Sequence, residues 1–195
     1  MFVPVTLATG ALVGAGGAGT GGKIRSRTAI QPTMSATQTM MTMTEAVKRY
    51  LDGHGVNYKV HLVDGPTMTA QDAATQLRVP LETIVKSILF TDEKQMPVLA
   101  ILTGDKRADP KKLSSAVGAS RVKVATPEVV NALSGFEVGT MPPLAHKQRI
   151  ATVVDEKVMS LSRVYGGSGK AEALIEIDPR EIVRLAEAKN ADICE

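Results

Sequence analysis

From residue 45 onward the chain switches between two kinds of hydrophobic spacing. Ala46, Val47, Tyr50 and Leu51 recur at the interval of a helix, so Thr44 is read as the cap of a helix that Gly53 and Gly55 stop. Asn57 to Val63 reads as a strand. Thr69-Ala70-Gln71-Asp72 has the form of a capping box and predicts a helix to about Leu77, ended by Val79-Pro80. Thr83 to Phe90 and Val98 to Leu102 are apolar runs on either side of a polar turn, Asp92 to Gln95, the pattern of a hairpin. Three more helices are signalled by a cap residue followed by proline, at Asp109-Pro110, Thr126-Pro127 and Asp178-Pro179. Strands are predicted at Arg121 to Ala125, Thr152 to Asp155, Ser162 to Tyr165 and Ala173 to Ile177. The sum is an α+β fold, with about seven strands and about five short helices.

One position breaks the pattern. The run Thr83 to Phe90 reads TIVKSILF, and on a strand Ile84, Lys86, Ile88 and Phe90 share a face opposite Val85, Ser87 and Leu89. A lysine among the bulkier apolar groups needs a partner, a water-filled pocket, or an outward route for its stem, because burying an unpaired ammonium costs several kcal/mol.

With 44% hydrophobic and 22% charged residues, the 195-residue chain suits one globular domain, over residues 45–195. Residues 1–44 contain Lys23, Arg25 and Arg27 and no acid, so the other 20 basic residues are balanced by 20 acids. The basic pI of 9.0 therefore resides in the N-terminal segment and does not mark a broad nucleic-acid surface; no DNA partner is expected. A local cluster, Lys106, Arg107, Lys111, Lys112, Arg121 and Lys123, reads as a solvated face offset by Asp105 and Asp109. At 3% aromatic residues and no Trp, stacking platforms for single strands are not available. The single cysteine, Cys194, excludes internal disulfides. His54, His61 and His146 lack the spacing of a metal site, so neither metal nor cofactor is expected.

Residues 1–44 are rich in Gly, Thr, Ala and Met and stand outside the fold, as a disordered or targeting extension. Their acid-free, mildly basic composition fits a transit peptide for mitochondrion or plastid, or an extension upstream of a later methionine at Met34, Met40, Met41 or Met43 in a cytoplasmic protein. Pro4 and seven glycines between Gly10 and Gly22 make a poor membrane span, so no membrane partner is expected. Gly14 to Gly19 satisfies G-x-G-x-x-G, but Thr20-Gly21-Gly22 prevents the helix that a dinucleotide loop requires.

Two segments resist simple assignment. In Gly135 to Leu144 (GFEVGTMPPL), paired prolines and spaced glycines specify a rigid loop. Tyr165 to Lys170 (YGGSGK) is a glycine-rich turn between strands; Val164 and Ala171 stand where a P-loop needs Gly and Ser or Thr. Such a turn is either a tight hairpin or a concavity of N–H groups for an anion.

Five blocks stand in order: VKSILF, DPKKLSSAVGASRVKVATP, GFEVGTMPPLAH, ATVVDE, and VYGGSGK followed by ALIEI. In this order they resemble the YbaK/EbsC family, aminoacyl-tRNA deacylases related to the editing domain of bacterial prolyl-tRNA synthetase. The resemblance implies a compact, mixed, barrel-like sheet flanked by helices, and hydrolysis of the ester of a wrong amino acid on tRNA, in trans to the synthetase. The family's lysine falls on Lys86 and its G-x-x-x-P loop on Gly139 to Pro143. The implied catalytic residues are Lys86, clamping the tRNA 3′ end, and Gly139, whose amide meets the oxyanion. Thr140, Met141, Pro142, Pro143, His146, Gly166, Gly167, Ser168 and Gly169 are the implied substrate-binding set, with the glycine-turn amides as further oxyanion donors and His146 ordering a water. The implied partners are the 3′ acceptor end of a mischarged tRNA and prolyl-tRNA synthetase.

Departures from the family bear on substrate. Cysteine-acting relatives carry Ser-Gly-Gly in the late turn, a tyrosine near Val63 and an acid near Leu174; here the turn is Gly166-Gly167-Ser168-Gly169 and the other two positions are apolar. Alanine is then as suitable as cysteine, since size discrimination is worth ~1 to 3 kcal/mol per methylene. A non-catalytic tRNA- or synthetase-binding module of the same fold is the alternative, and a general small-ester hydrolase the third hypothesis.

Overall fold

The computed structural model describes residues 36–195, with side chains from residue 44 on. The expectations for residues 1–35, including the targeting segment and the G-x-G-x-x-G run, lie outside the described residues. The first helix, α1 (Ala36–Gly53), starts ahead of Thr44, which is a helix-interior residue and not the expected cap. Val47 and Leu51 on it are buried. After β1 (Tyr58–Leu62), α2 (Ala70–Leu77) opens on the expected capping box. Thr69 Oγ1 accepts from the Asp72 amide at 3.1 Å, and the Asp72 carboxylate accepts from the Thr69 amide at 3.0 Å. A short 3-10 turn (Leu81–Thr83) leads into β2 (Val85–Asp92), which forms the expected hairpin with β3 (Pro97–Thr103).

Helices α3 (Pro110–Val117) and α6 (Pro179–Ala186) carry proline in the first turn and are capped by Asp109 and Asp178. In α4 (Pro127–Ser134) the expected cap, Thr126, makes no side-chain capping bond. The remaining strands are β4 (Val122–Val124), β5 (Ala151–Asp155), β6 (Val164–Gly167) and β7 (Ala173–Ile177). Two elements escape the hydrophobic pattern: the one-turn helix α5 (Glu156–Met159), capped by Asp155, and β8 (Lys189–Ala191). β8 is three residues long with no apolar alternation, and it forms because it adds in parallel to β5.

The described strands make two sheets, of order β1-β7-β6 and β4-β2-β3-β5-β8. They touch through a parallel bridge between Ile84 and Tyr165. The second sheet is covered on both faces, which is why its central strand β3 is buried at every position after Pro97. On one face Val85, Leu89, Leu99, Ile101 and Val154 pack against Val164, Ile175 and Ile177 of the smaller sheet. On the other, Phe90, Val98, Ala100 and Leu102 pack against Leu113 of α3 and Ile193. The alternation in β2 thus follows its sequence pattern, and Lys86 lies on the α3 side with Ile88 and Phe90.

Candidate active site

Along β2, hydrogen bonding fixes which main-chain groups are free. The Gly104 amide donates to the Ile84 carbonyl at 2.7 Å and the Asp92 amide to the Met96 carbonyl at 3.0 Å, so the even-numbered residues exchange bonds with β3. The odd-numbered ones turn their N–H and C=O to the opposite edge, where the Leu89 carbonyl accepts from Ala125 at 2.9 Å. β4 pairs only with Phe90 to Asp92, and the bridge to β6 is at Ile84. Between these points β2 borders a cavity of about 500 Å³.

Lys86, Gly139, Met141 and Gly167 all line this cavity. The half-buried Lys86 ammonium donates to the Gly104 carbonyl at 3.1 Å and to the Lys106 carbonyl. Of the three options that the strand pattern left open, the fold supplies a partner: two of its three N–H donors are satisfied by the β3–α3 loop and one remains. Burial pushes the ammonium below the ordinary lysine value, an effect that the Asp105 carboxylate opposes. Asp105, between the two carbonyls, is tied to Lys157 at 2.8 Å, and this bond holds its carboxyl below the usual range.

The proline loop and the glycine turn interlock. A side chain at Gly167 would place its Cβ 2.6 Å from the Thr140 carbonyl oxygen and 2.7 Å from that of Met141. At Gly166 it would meet Pro143 at 3.1 Å and Val85 at 3.2 Å. The Gly169 amide donates to the Thr140 carbonyl at 2.9 Å, and the buried Ser168 hydroxyl donates to the Ala173 carbonyl at 2.8 Å. Gly166 and Gly167 pair with β7. The Gly169 amide and the Ser168 hydroxyl are therefore spent inside this wall and are not free to act as the expected oxyanion donors.

Thr140 donates to the Glu137 carbonyl at 3.1 Å, and Pro142 and Pro143 are buried behind the same wall. His146 is also outside the cavity. Its Nε2 lies 2.9 Å from the Pro142 carbonyl oxygen, it borders a separate cavity of about 260 Å³ with Tyr50 and Arg149, and burial lowers its basicity. Gly139 differs from the late turn. It has φ +88°, nothing closer than Met68 at 3.4 Å to a Cβ there, and, among the described residues, an amide that donates to no protein acceptor.

The family described as aminoacyl-tRNA editing domain matches residues 64–185. The chain belongs to this family. It is 26% identical over 147 residues to the "Putative Cys-tRNA(Pro)/Cys-tRNA(Cys) deacylase EbsC" of Enterococcus faecalis, covering 74% of this chain and 90% of that protein. It is 31% identical over 109 residues to the proline–tRNA ligase of Latilactobacillus sakei, covering 55% of this chain but 19% of that enzyme. A solved structure described as "a putative trans-editing enzyme for prolyl tRNA synthetase" superposes with a TM-score of 0.72 at 32% identity, covering 78% of this chain and 97% of that one.

In this editing domain the cavity also recruits residues that the sequence did not single out. Met68, Thr69 and Gln71 come from the start of α2, Val130 from α4, and Met68, Val124 and Val138 leave more than half of their surface exposed at its rim. Exposed Met and Val at a cavity mouth have no local sequence signature; only the meeting of three distant segments makes them a rim. Of the basic cluster, Lys112 is engaged with Asp192 at 2.8 Å and the Cys194 carbonyl at 2.7 Å, while Lys111, Arg121 and Lys123 are exposed.

Proposed function

We propose that the chain hydrolyses the ester of a mischarged tRNA, alanine or cysteine on a proline acceptor, working in trans to prolyl-tRNA synthetase. The observation that carries this is the convergence of Lys86, Gly139 and Gly167, from three separate sequence blocks, on one cavity of about 500 Å³, a size ordinary for a small-molecule site. Val85, Leu89, Val130, Met141 and Leu174 give it an apolar lining suited to a small side chain. The names of the relatives point to the same chemistry.

In the reaction, a water oxygen bonds to the acyl carbon, the bond to the ribose oxygen breaks, and that oxygen takes up a proton, releasing amino acid and uncharged tRNA. The Gly139 amide is free to meet the charge developing on the carbonyl oxygen. The remaining Lys86 donor faces the ribose or phosphate of the acceptor end. No protein nucleophile is called on. The one cysteine, Cys194, is buried and its thiol pushed up to about 12, so it stays protonated.

The test is a deacylation panel: tRNA(Pro) charged with alanine, cysteine or proline, incubated with the full chain and with Lys86→Ala. Loss of the alanyl or cysteinyl ester that depends on Lys86 is expected. Equal rates with and without the lysine across the panel would overturn the hydrolase. Salt-sensitive tRNA binding without turnover would instead establish the binding module.

A further inference from the structure

The gap in β2 pairing has a chemical meaning of its own. By the alternation above, Ser87 presents both its N–H and its C=O to the cavity edge, and among the described residues neither the β4 ladder nor the Ile84–Tyr165 bridge reaches them. The gap is closed at one end by the Ile84–Tyr165 bridge and at the other by the Ala125–Leu89 bond. A whole strand cannot add there. One residue can.

Resting on the reading of the site as an aminoacyl pocket, we propose that the aminoacyl group docks as a one-residue strand opposite Ser87. Its α-ammonium donates to the Ser87 carbonyl and its ester carbonyl accepts from the Ser87 N–H, as a hydrogen-bonded pair does in an antiparallel ladder. Both contacts are to the main chain, so they read the feature shared by all α-amino acids and leave selection between side chains to the apolar lining. The ligand class is an acyl group with a free α-amino group; N-acylated and des-amino acyl groups are rejected.

The geometry offers a clean substitution. Proline at 87 removes an N–H that β3 does not use, a placement that sheet edges accept. Ser87→Ala removes the same hydroxyl and keeps the N–H, and the Ser87 Oγ is buried without a partner. Binding of a non-hydrolysable probe, adenosine carrying alanine through a 3′-amide, is measured by calorimetry on the full chain, on both variants, and against propionyl and N-acetylalanyl counterparts. Thermal unfolding checks each variant.

Ser87→Pro is expected to bind the alanyl probe about tenfold more weakly than Ser87→Ala, and the propionyl probe to bind the unaltered chain about tenfold more weakly than the alanyl one. Equal affinity for alanyl and propionyl probes, or no binding of any probe, overturns the proposal whether or not Ser87→Pro folds. Tight, amino-dependent binding without deacylation of charged tRNA supports it while removing the hydrolase. Deacylation with indifference to the amino group does the reverse.

Discussion

Gly167 lies so close to Thr140 that a methyl group on it would sit 2.6 Å from the Thr140 carbonyl oxygen. Main chain on both sides leaves no flexible end to yield, so Gly167→Ala must part the glycine turn from the proline loop. It should destabilise the chain by about 3 kcal/mol. Gly166→Ala, which meets the side chains of Pro143 and Val85 at 3.1 and 3.2 Å, should cost less. Denaturant unfolding of the two variants checks the order.

Lys86 should tolerate no replacement. Lys86→Met loses the donor, and Lys86→Arg brings a planar fork to a site shaped by the Gly104 and Lys106 carbonyls for an ammonium. Both are expected to lose at least 100-fold in single-turnover deacylation, as removal of a preorganised donor does elsewhere. Lys157→Met, which frees Asp105 and the loop between those carbonyls, should lower the rate by about tenfold through Lys86 placement. Its signature is a shifted alkaline limb of the pH–rate profile, which a merely structural role would leave in place.

Glu176 is a buried carboxylate on β7, 2.7 Å from His61 Nε2, 3.3 Å from Arg163 Nε and 4.0 Å from Lys59. Glu176→Ala leaves these solvent-accessible basic groups facing one another across the small sheet and should cost about 1 kcal/mol in chemical denaturation. An unchanged midpoint would show that the cluster is dispensable.

His146 gives a pH dependence with a definite sign. Burial holds its folded-state pKa below the ordinary value, so the unfolded chain binds the extra proton first. Its contribution to stability is present above about pH 6.5 and lost as the pH falls through the folded value. The unfolding midpoint of His146→Phe should therefore vary less with pH between about 7 and 5 than that of the unaltered chain. Deacylation at pH 7.5 should change little in this variant, because His146 lies outside the cavity.

The elements and the family were legible in the chain from residue 45 on, because local rules govern them. Asp109-Pro110 and Asp178-Pro179 each place a capping carboxylate and a preset first helical position within two residues, Thr69 and Asp72 cap each other within four residues, and the alternation in TIVKSILF assigns Lys86 to one face of its strand. Four members of the implied site, Lys86, Gly139, Met141 and Gly167, do line one cavity. What the local pattern could not say was which groups the fold had already committed. Ser168, Gly169 and His146 each carry suitable chemistry, and each is engaged by a main-chain carbonyl, of Ala173, Thr140 and Pro142 respectively. The unpaired edge at Ser87 was equally invisible, since it exists only because β4 and β6 diverge from β2 at either side of it. Side-chain type and short-range spacing are properties of the sequence; whether a donor is spent or free depends on long-range pairing, and only the tertiary structure decides that.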